Sequence, residues 1–241
     1  MLLGGHLGAR LQRGGHHALL SLSLVAMCNL YRMTSNADAI RQLFGTALGT
    51  VDLGGANLPP FEGIYPDYEA PVLVAQGQGA SLATMRWGWP PFGEVKRPIT
   101  NVRNLNSPMW RGALRDPARR CLVPVTAFCE YGAAPDPVTK RKRQHWFALA
   151  SGEPFAFAGI WRPVEEGARF AFLTCEPNAL VGAVHPKAMP VMLAGDGLGQ
   201  WLRAEWEEAE RLVAPFPDNA MAELPPVSPT DASEAQPGLF G

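Results

Sequence analysis

The sequence Leu122-Val123-Pro124-Val125-Thr126-Ala127-Phe128-Cys129-Glu130-Tyr131 contains two short apolar runs on either side of Thr126. Both runs are rich in β-branched or aromatic residues and too short for a typical helix, so we predict two strands. Similar runs recur, with turn residues between them, at positions 71–75, 80–87, 99–103, 145–149, 155–161, 170–174 and 190–193. This repetition predicts mainly antiparallel sheets folded into a pseudo-barrel, with residues 77–79 as the turn of a hairpin.

Helical patterns flank these strands, so the predicted fold class is α+β. The first helix is predicted over residues 36–44, after the capping residues Thr34 and Ser35 and before a stop at Gly45. The second is predicted over residues 197–213, where apolar residues recur at helical spacing. Beyond Pro215 the chain is rich in Pro, Ser, Ala and Asp, and residues 216–241 are predicted to form a disordered tail.

The composition limits what the protein can be. Its 241 residues, of which 47% are hydrophobic, suffice for one domain with a sizeable core. The net charge of −1 excludes a globally basic nucleic-acid coat, so any contact with nucleic acid must come from a local cluster of Arg and Lys. The four cysteines form no Cys-x-x-Cys pair, and no His spacing suggests a zinc site. No other metal and no cofactor are expected. This cysteine count neither demands nor excludes disulfides, and a reducing cytoplasm is the simpler location.

The first 26 residues resemble a weak secretory signal, with Arg10 and Arg13 ahead of a short apolar stretch. We favour the alternative that they are a mis-assigned start and that synthesis begins at Met27. No apolar run is long enough to span a membrane. The expected organisation is therefore a leader or mis-assigned start over residues 1–26, a catalytic domain over 27–215 and the tail, in a chain expected to be monomeric.

A start at Met27 has a chemical consequence, because removal of that methionine exposes Cys28 as a terminal residue. Its α-amine and thiol would then form a 1,2-aminothiol. Such a pair captures an aldehyde as an imine and closes it to a five-membered thiazolidine. The alternative is an ordinary buried cysteine, which is the commoner state of a free thiol in proteins.

Three other residues are candidates for chemistry. Glu130 lies in an otherwise apolar strand, where alternation makes it an outward-facing residue, but a cleft would raise its pKa and make it an acid or base. His185 lies in a loop whose flanking prolines restrict its position, so its imidazole could exchange protons. Asn101 carries a side-chain amide that could orient a substrate oxygen atom. Each also has an ordinary structural explanation.

Basic and aromatic residues offer contacts for a nucleic acid. The run Lys140 to Arg143 is either a solvated loop tip or a phosphate-binding patch at the rim of a cleft. Aromatic side chains such as Phe92 are core residues by default, but exposed rings near a cleft could stack on bases.

The order of several short motifs resembles the SOS-response-associated peptidase (SRAP) family over nearly all of residues 27–213. The motifs are Met-Cys at 27–28, Arg-Trp-Gly-x-Pro-Pro at 86–91, Asn-x-Arg at 101–103, Arg-Cys-Leu-Val-Pro-x-x-x-Phe-x-Glu-Tyr at 120–131, Phe-Ala-Gly-Ile-Trp at 157–161 and His-Pro-Lys-Ala-Met-Pro-Val at 185–191. Each motif is weak alone, whereas their combination in this order is specific.

The resemblance implies an enzyme that senses abasic sites in single-stranded DNA, in DNA repair linked to the SOS response. It implies a covalent thiazolidine crosslink to the lesion through an N-terminal cysteine that autoproteolysis or methionine removal exposes. The catalytic residues carried over are Cys28 as nucleophile, Asn101 as the group that holds the cysteine or sugar, Glu130 as acid or base, and His185 as proton shuttle.

The resemblance further implies that Arg103 binds backbone phosphate, and Arg32 and Phe92 are expected to contact DNA as well. Family members often read Cys-Gly-Arg at the start, whereas here Cys28 is followed by Asn29 and Leu30, and the first arginine is Arg32. No arginine of this chain therefore stands at the position from which the family's early arginine makes its contact.

Two other functions remain open on the sequence. One is a cysteine endopeptidase that acts in trans through Cys28 and His185, which needs no free amine. The other is a secreted structural domain whose leader is a true signal and whose cysteines are paired.

Overall fold

The computed structural model describes residues 28–56, 58–91 and 97–226. Its strands are β1 (Tyr31–Met33), β2 (Val51–Asp52), β3 (Phe61–Ile64), β4 (Glu69–Gln76), β5 (Gly79–Trp87), β6 (Asn101–Val102), β7 (Arg120–Val125), β8 (Ala127–Pro135), β9 (Lys142–Leu149), β10 (Phe155–Val164), β11 (Gly167–Cys175), β12 (Met189–Pro190), β13 (Met192–Leu193) and β14 (Met221–Glu223). Its α-helices are α1 (Ala37–Leu48), α2 (Arg111–Arg115), α3 (Ala179–Gly182), α4 (Asp196–Arg203) and α5 (Trp206–Ala209).

Five strands close into a barrel. The neighbours β11, β10, β7, β4 and β5 follow one another as antiparallel pairs, and β11 then pairs with β5 in parallel through Arg169↔Arg86 and Phe170↔Trp87. The short strands β2, β6, β12 and β13 extend this sheet. The predicted α+β class, with mainly antiparallel sheets in a pseudo-barrel, is confirmed.

A second sheet, with strand order β14-β9-β8-β1-β3, packs against the barrel. Tyr31 of β1 lies opposite Phe128 of β8, and both side chains are fully buried. The Tyr31 ring meets Trp87 edge-on at 5.2 Å and Phe157 at 5.8 Å between ring centroids. Edge-to-face contacts of this kind add to the stabilisation from burial. They hold the segment that starts at Cys28 against the barrel core.

The predicted hairpin is confirmed in β4 and β5, which pair from Glu69↔Arg86 to Gln76↔Gly79. Gly77 has a φ of 55°, which favours glycine, and a Cβ on Gly79 would lie 2.2 Å from Thr50 O. The guanidinium of Arg203 donates to Gln78 O at 2.7 Å and to Gly79 O at 2.8 Å. The turn is thus tied to the end of α4.

Both predicted helices differ from those observed. Asn36 is the N-cap of α1, with its side chain accepting from Ala39 N at 2.9 Å, and the helix continues through Gly45 to Leu48. Burial of Leu48 on the same face as Phe44 offsets the roughly 1 kcal/mol cost of a glycine within a helix. The predicted helix over 197–213 is broken into α4, α5 and a 3₁₀ turn, because Ala204 is extended with ψ 157°.

The break at Ala204 has a packing reason. The buried guanidinium of Arg120 donates to Ala204 O, which gives the last turn of α4 a partner. The break also lets Trp201 and Trp206 both bury their rings, which meet edge-on at 6.5 Å. A continuous helix would satisfy neither contact.

The predicted start of the disordered tail at residue 216 is wrong. Strand β14 pairs with β9 through Met221↔Leu149 and Glu223↔Phe147, and the side chain of Asn178 donates to Phe216 O at 2.8 Å. A strand of three residues leaves no periodic signal, and its stability comes from the partner strand. Residues 227–241 lie outside the described residues.

Replacing Met221 by Ala is expected to lower the free energy of unfolding by about 2 to 4 kcal/mol, because the buried thioether leaves a cavity. Urea unfolding monitored by tryptophan fluorescence measures this change. Asn219→Ala, at an exposed position of the same segment, should change it by less than about 0.5 kcal/mol. Equal effects of the two variants would mean that β14 does not contribute to the packed domain.

Candidate functional site

The structure brings four of the predicted site residues together from separate elements. Cys28 lies just ahead of β1, Asn101 begins β6, Glu130 is in β8, and His185 is in the loop between α3 and β12. Asn101 is carried by the parallel pairing of β6 with β11, through Phe172↔Asn101. Asn101 contacts Cys28, and His185 contacts Glu130.

Asn101 holds the backbone of Cys28. Its Nδ2 donates to Cys28 O at 3.3 Å and to Thr100 Oγ1 at 2.8 Å. Thr100 Oγ1 in turn donates to Asn29 Oδ1 at 3.3 Å. Asn101 Oδ1 is buried and has no hydrogen-bond partner among the described residues.

Cys28 is 2% exposed, and its thiol donates to Leu30 O at 3.6 Å. Burial raises the pKa of this thiol well above its usual range, and the negative charge of Glu130 raises it further. The thiol is therefore protonated at neutral pH. It needs a base nearby when it reacts.

Glu130 is buried, so the outward-facing alternative is wrong. Its side chain lies on the same face of β8 as Phe128, with two per cent of the residue exposed. Burial raises the pKa of this carboxyl to about 8. Oε1 has no hydrogen-bond partner among the described residues. At neutral pH Glu130 is thus largely a carboxylic acid with a free oxygen.

His185 lies beside Glu130 in a fixed orientation. Its Nδ1 is 2.8 Å from Ala188 O and 3.7 Å from Glu130 Oε2. A carbonyl oxygen only accepts, so Nδ1 carries the proton and Nε2 is left to accept or release another. The two groups together can move a proton to or from a reacting atom.

The predicted DNA-binding residues are not gathered in this way. The guanidinium of Arg103 pairs with the exposed carboxylate of Glu176, and that of Arg32 lies 4.8 Å above the ring of Trp146. Phe92 lies outside the described residues. The basic run at 140–143 is exposed at the end of the β8–β9 hairpin.

Two further findings concern metals and membranes. Within residues 28–56, 58–91 and 97–226, no group of three or more His, Cys, Asp and Glu side chains could hold a metal ion. In the same ranges no helix has the length and apolar character needed to cross a bilayer.

All four cysteines are free, so the paired cysteines of the secreted-domain hypothesis are absent from the described structure.

The raised pKa of Glu130 predicts a pH-dependent difference in stability between the wild type and Glu130→Gln. The folded state keeps the proton up to about pH 8, whereas the unfolded chain releases it near pH 4.3. The free energy of unfolding of the wild type should therefore fall with rising pH between these values, by at most about 1.4 kcal/mol per unit. Glu130→Gln lacks this loss.

Urea unfolding of both proteins at pH 5, 6, 7 and 8 measures the difference. The free energy of unfolding of Glu130→Gln minus that of the wild type should rise steadily across the series. A constant difference would show that the carboxyl is ionised in the folded protein throughout.

A family profile described as "SOS response associated peptidase (SRAP)" matches residues 27–230. The chain belongs to the SRAP family. The match begins at the residue before Cys28 and includes β14, in agreement with the packed strand beyond residue 215. The family name associates the chain with the SOS response and with peptidase-type activity.

Solved structures share the fold of this SRAP chain. A protein from Bordetella bronchiseptica is 22% identical, with a TM-score of 0.64 over 81% of this chain and 98% of its own. A protein from Bacteroides thetaiotaomicron is 18% identical, with a TM-score of 0.66 over 86% of this chain and 95% of its own. A phage-related protein from Bordetella bronchiseptica is 22% identical, with a TM-score of 0.62 over 83% and 94% of the two chains. No curated protein sequence matches the chain.

Sequence reasoning missed two residues that contact this group. Thr100 and Asn29 are hydrogen-bonded to each other, and Thr100 also accepts from Asn101. Thr100 could have been noticed as the neighbour of Asn101 in the Asn-x-Arg motif. Asn29 gives no such signal, because its partner is distant in the sequence.

Proposed function

We propose that this SRAP chain captures abasic sites in single-stranded DNA by forming a thiazolidine between Cys28 and the ring-opened sugar. The observation that carries the proposal is the arrangement around Cys28. Asn101 Nδ2 donates to the Cys28 carbonyl at 3.3 Å, and the charge of the buried Glu130 carboxyl raises the pKa of the Cys28 thiol. Glu130 Oε2 in turn lies 3.7 Å from Nδ1 of His185. An aldehyde trap needs an amine, a thiol and a group that moves protons.

The reaction requires the bond ahead of Cys28 to be cleaved, so that the α-amine is free. The amine then attacks the aldehyde carbon to give a carbinolamine, which loses water to form an imine. The thiol sulfur adds to the imine carbon, and its proton ends on the nitrogen. The net change is one aldehyde and one aminothiol converted to a thiazolidine and one water.

Glu130 is the proposed acid and base in these steps. As a carboxylic acid near neutral pH it can donate a proton to the sugar oxygen or the leaving hydroxyl. As a carboxylate it can then take the proton of the Cys28 thiol. A pKa of about 8 lets the same group do both near physiological pH.

His185 and Asn101 have supporting roles in this proposal. Nε2 of His185 can exchange a proton with solvent or substrate, while Nδ1 stays bonded to Ala188 O. Asn101 would orient the terminal residue through its carbonyl. Arg103, Arg32 and Phe92 are the proposed contacts to DNA, and binding by Arg103 would require its guanidinium to exchange Glu176 for phosphate.

The second candidate is a cysteine endopeptidase acting in trans, which the family's description as a peptidase favours. A cysteine protease needs a thiolate whose pKa is lowered by an adjacent imidazole. Here burial raises the pKa of the Cys28 thiol, and His185 Nδ1 faces Ala188 and Glu130. This arrangement lacks the lowered thiol pKa that cleavage of other proteins would need.

Incubation with single-stranded DNA carrying one abasic site, followed by denaturing electrophoresis, tests the proposal. The wild type should give a shifted band with this DNA and none with the intact oligonucleotide. A parallel assay with a mixed peptide library should show no cleavage. Cleavage of peptides without a shifted band would support the endopeptidase instead.

A further inference from the structure

A short chain of hydrogen bonds runs behind the site from Asn29 through Thr100 to Asn101. We propose that Thr100 and Asn29 are positioning residues that fix the direction of the Asn101 amide beside Cys28. This inference rests on the proposed function of Cys28 as an aminothiol. The three residues are contributed by the segment before β1 and by the entry to β6, which nothing in the sequence links.

The direction of each hydrogen bond follows from the chemistry of the groups. Asn29 Oδ1 can only accept, so the Thr100 hydroxyl donates its single proton across the 3.3 Å contact. Thr100 Oγ1 therefore presents lone pairs to Asn101 Nδ2, which donates to it at 2.8 Å. The Asn29 carbonyl thus determines what Thr100 can offer to Asn101.

The hydrogen bonds of Asn101 determine which way round its side-chain amide lies. Its two N–H groups are used by Thr100 Oγ1 and Cys28 O. A flipped amide would set Oδ1 against these two oxygens, both of which present lone pairs. Thr100 is 8% exposed and Asn101 is 6% exposed, so water cannot easily replace a lost partner.

This orientation leaves Asn101 Oδ1 buried and without a hydrogen-bond partner among the described residues. It is available to accept an N–H from the α-amine of Cys28, whose carbonyl is already bound by the same side chain. An amine held at both its own N–H and the neighbouring carbonyl has a restricted direction of attack. Thr100 and Asn29 therefore act on the rate of condensation rather than on DNA affinity.

The Asn29–Thr100 pair is a property of this chain. A glycine at position 29 would have no side chain to accept the hydroxyl proton of Thr100. Asn29 thus gives the Thr100 hydroxyl a specific partner.

Thr100→Val removes the hydroxyl at nearly constant shape, and Thr100→Ser retains it as the matched control. Single-turnover crosslinking to abasic single-stranded DNA gives a limiting rate and a half-saturating DNA concentration for each protein. We expect Thr100→Val to lower the limiting rate about tenfold at an unchanged half-saturating concentration, with Thr100→Ser within about twofold of the wild type. Asn29→Ala should slow the reaction, and the double variant with Thr100→Val should be no slower than Thr100→Val alone.

Condensation with a small aldehyde, glyceraldehyde, on protein whose chain begins at Cys28 separates this inference from the proposed function. The rate is followed by the mass of the thiazolidine adduct. The same tenfold contrast between Thr100→Val and Thr100→Ser in this assay supports the positioning role. If the wild type fails to capture DNA but shows this contrast, only the proposed function is wrong. Equal rates for the two variants overturn the inference. Should Thr100→Val fail to fold, Asn29→Ala carries the comparison, and a wild-type rate for it overturns the inference.

Discussion

Cys28→Ala is expected to abolish the band that survives denaturing electrophoresis with abasic single-stranded DNA, a loss of at least about a thousandfold in rate. The variant keeps an α-amine, which can still form an imine, but it has no sulfur to close the ring. An imine is reversible in water, so the adduct should disappear on denaturation.

Reduction with borohydride makes this prediction sharper. Borohydride converts an imine to a stable amine, so the variant should regain a shifted band only when the reductant is present. Cys121→Ala is the matched control, because this thiol is buried in the barrel wall at β7 and its pKa is raised by burial. A band of normal intensity for Cys28→Ala without reductant would assign the crosslink to another nucleophile.

Glu130→Gln is expected to slow crosslinking about a hundredfold at pH 7, because the amide can neither donate nor accept the proton that the reaction moves. The rate of the wild type divided by that of the variant should fall as the pH rises through about 8, where Glu130 loses its proton in the folded protein. Forming the ratio at each pH cancels the ionisation of the amine, which both proteins share.

Single-turnover rates between pH 6 and 9 measure this ratio. Glu62→Gln is the control, because this carboxyl on β3 is exposed. It should match the wild type at every pH. A wild-type rate for Glu130→Gln would remove the carboxyl from the mechanism, and a ratio independent of pH would mean that its ionisation does not matter.

The strands were largely predictable from the sequence, whereas the closure of the barrel was not. Apolar runs such as 122–125 and 155–161 mark strands wherever they occur. The parallel pairing of β11 with β5 joins segments about 80 residues apart, and no local pattern encodes it. The break at Ala204 has the same origin, since it depends on a hydrogen bond from the distant Arg120.

The site shows a similar division. The motif order named Cys28, Asn101, Glu130 and His185, but alternation along the strand favoured an outward-facing Glu130. Alternation identifies an outward face only when one side of a strand is exposed, and in β8 both Phe128 and Cys129 are fully buried. The Asn29–Thr100 bond was missed because it depends on the segment before β1 lying beside the entry to β6, which only the folded chain defines.

The central claim is that Cys28 reacts through both its nitrogen and its sulfur. The most direct measurement compares protein whose chain begins at Cys28 with protein that retains one residue ahead of it, both incubated with single-stranded DNA carrying one abasic site. The first should crosslink rapidly, and the second should give no band, although its thiol is intact. Equal crosslinking by the two proteins would contradict the account.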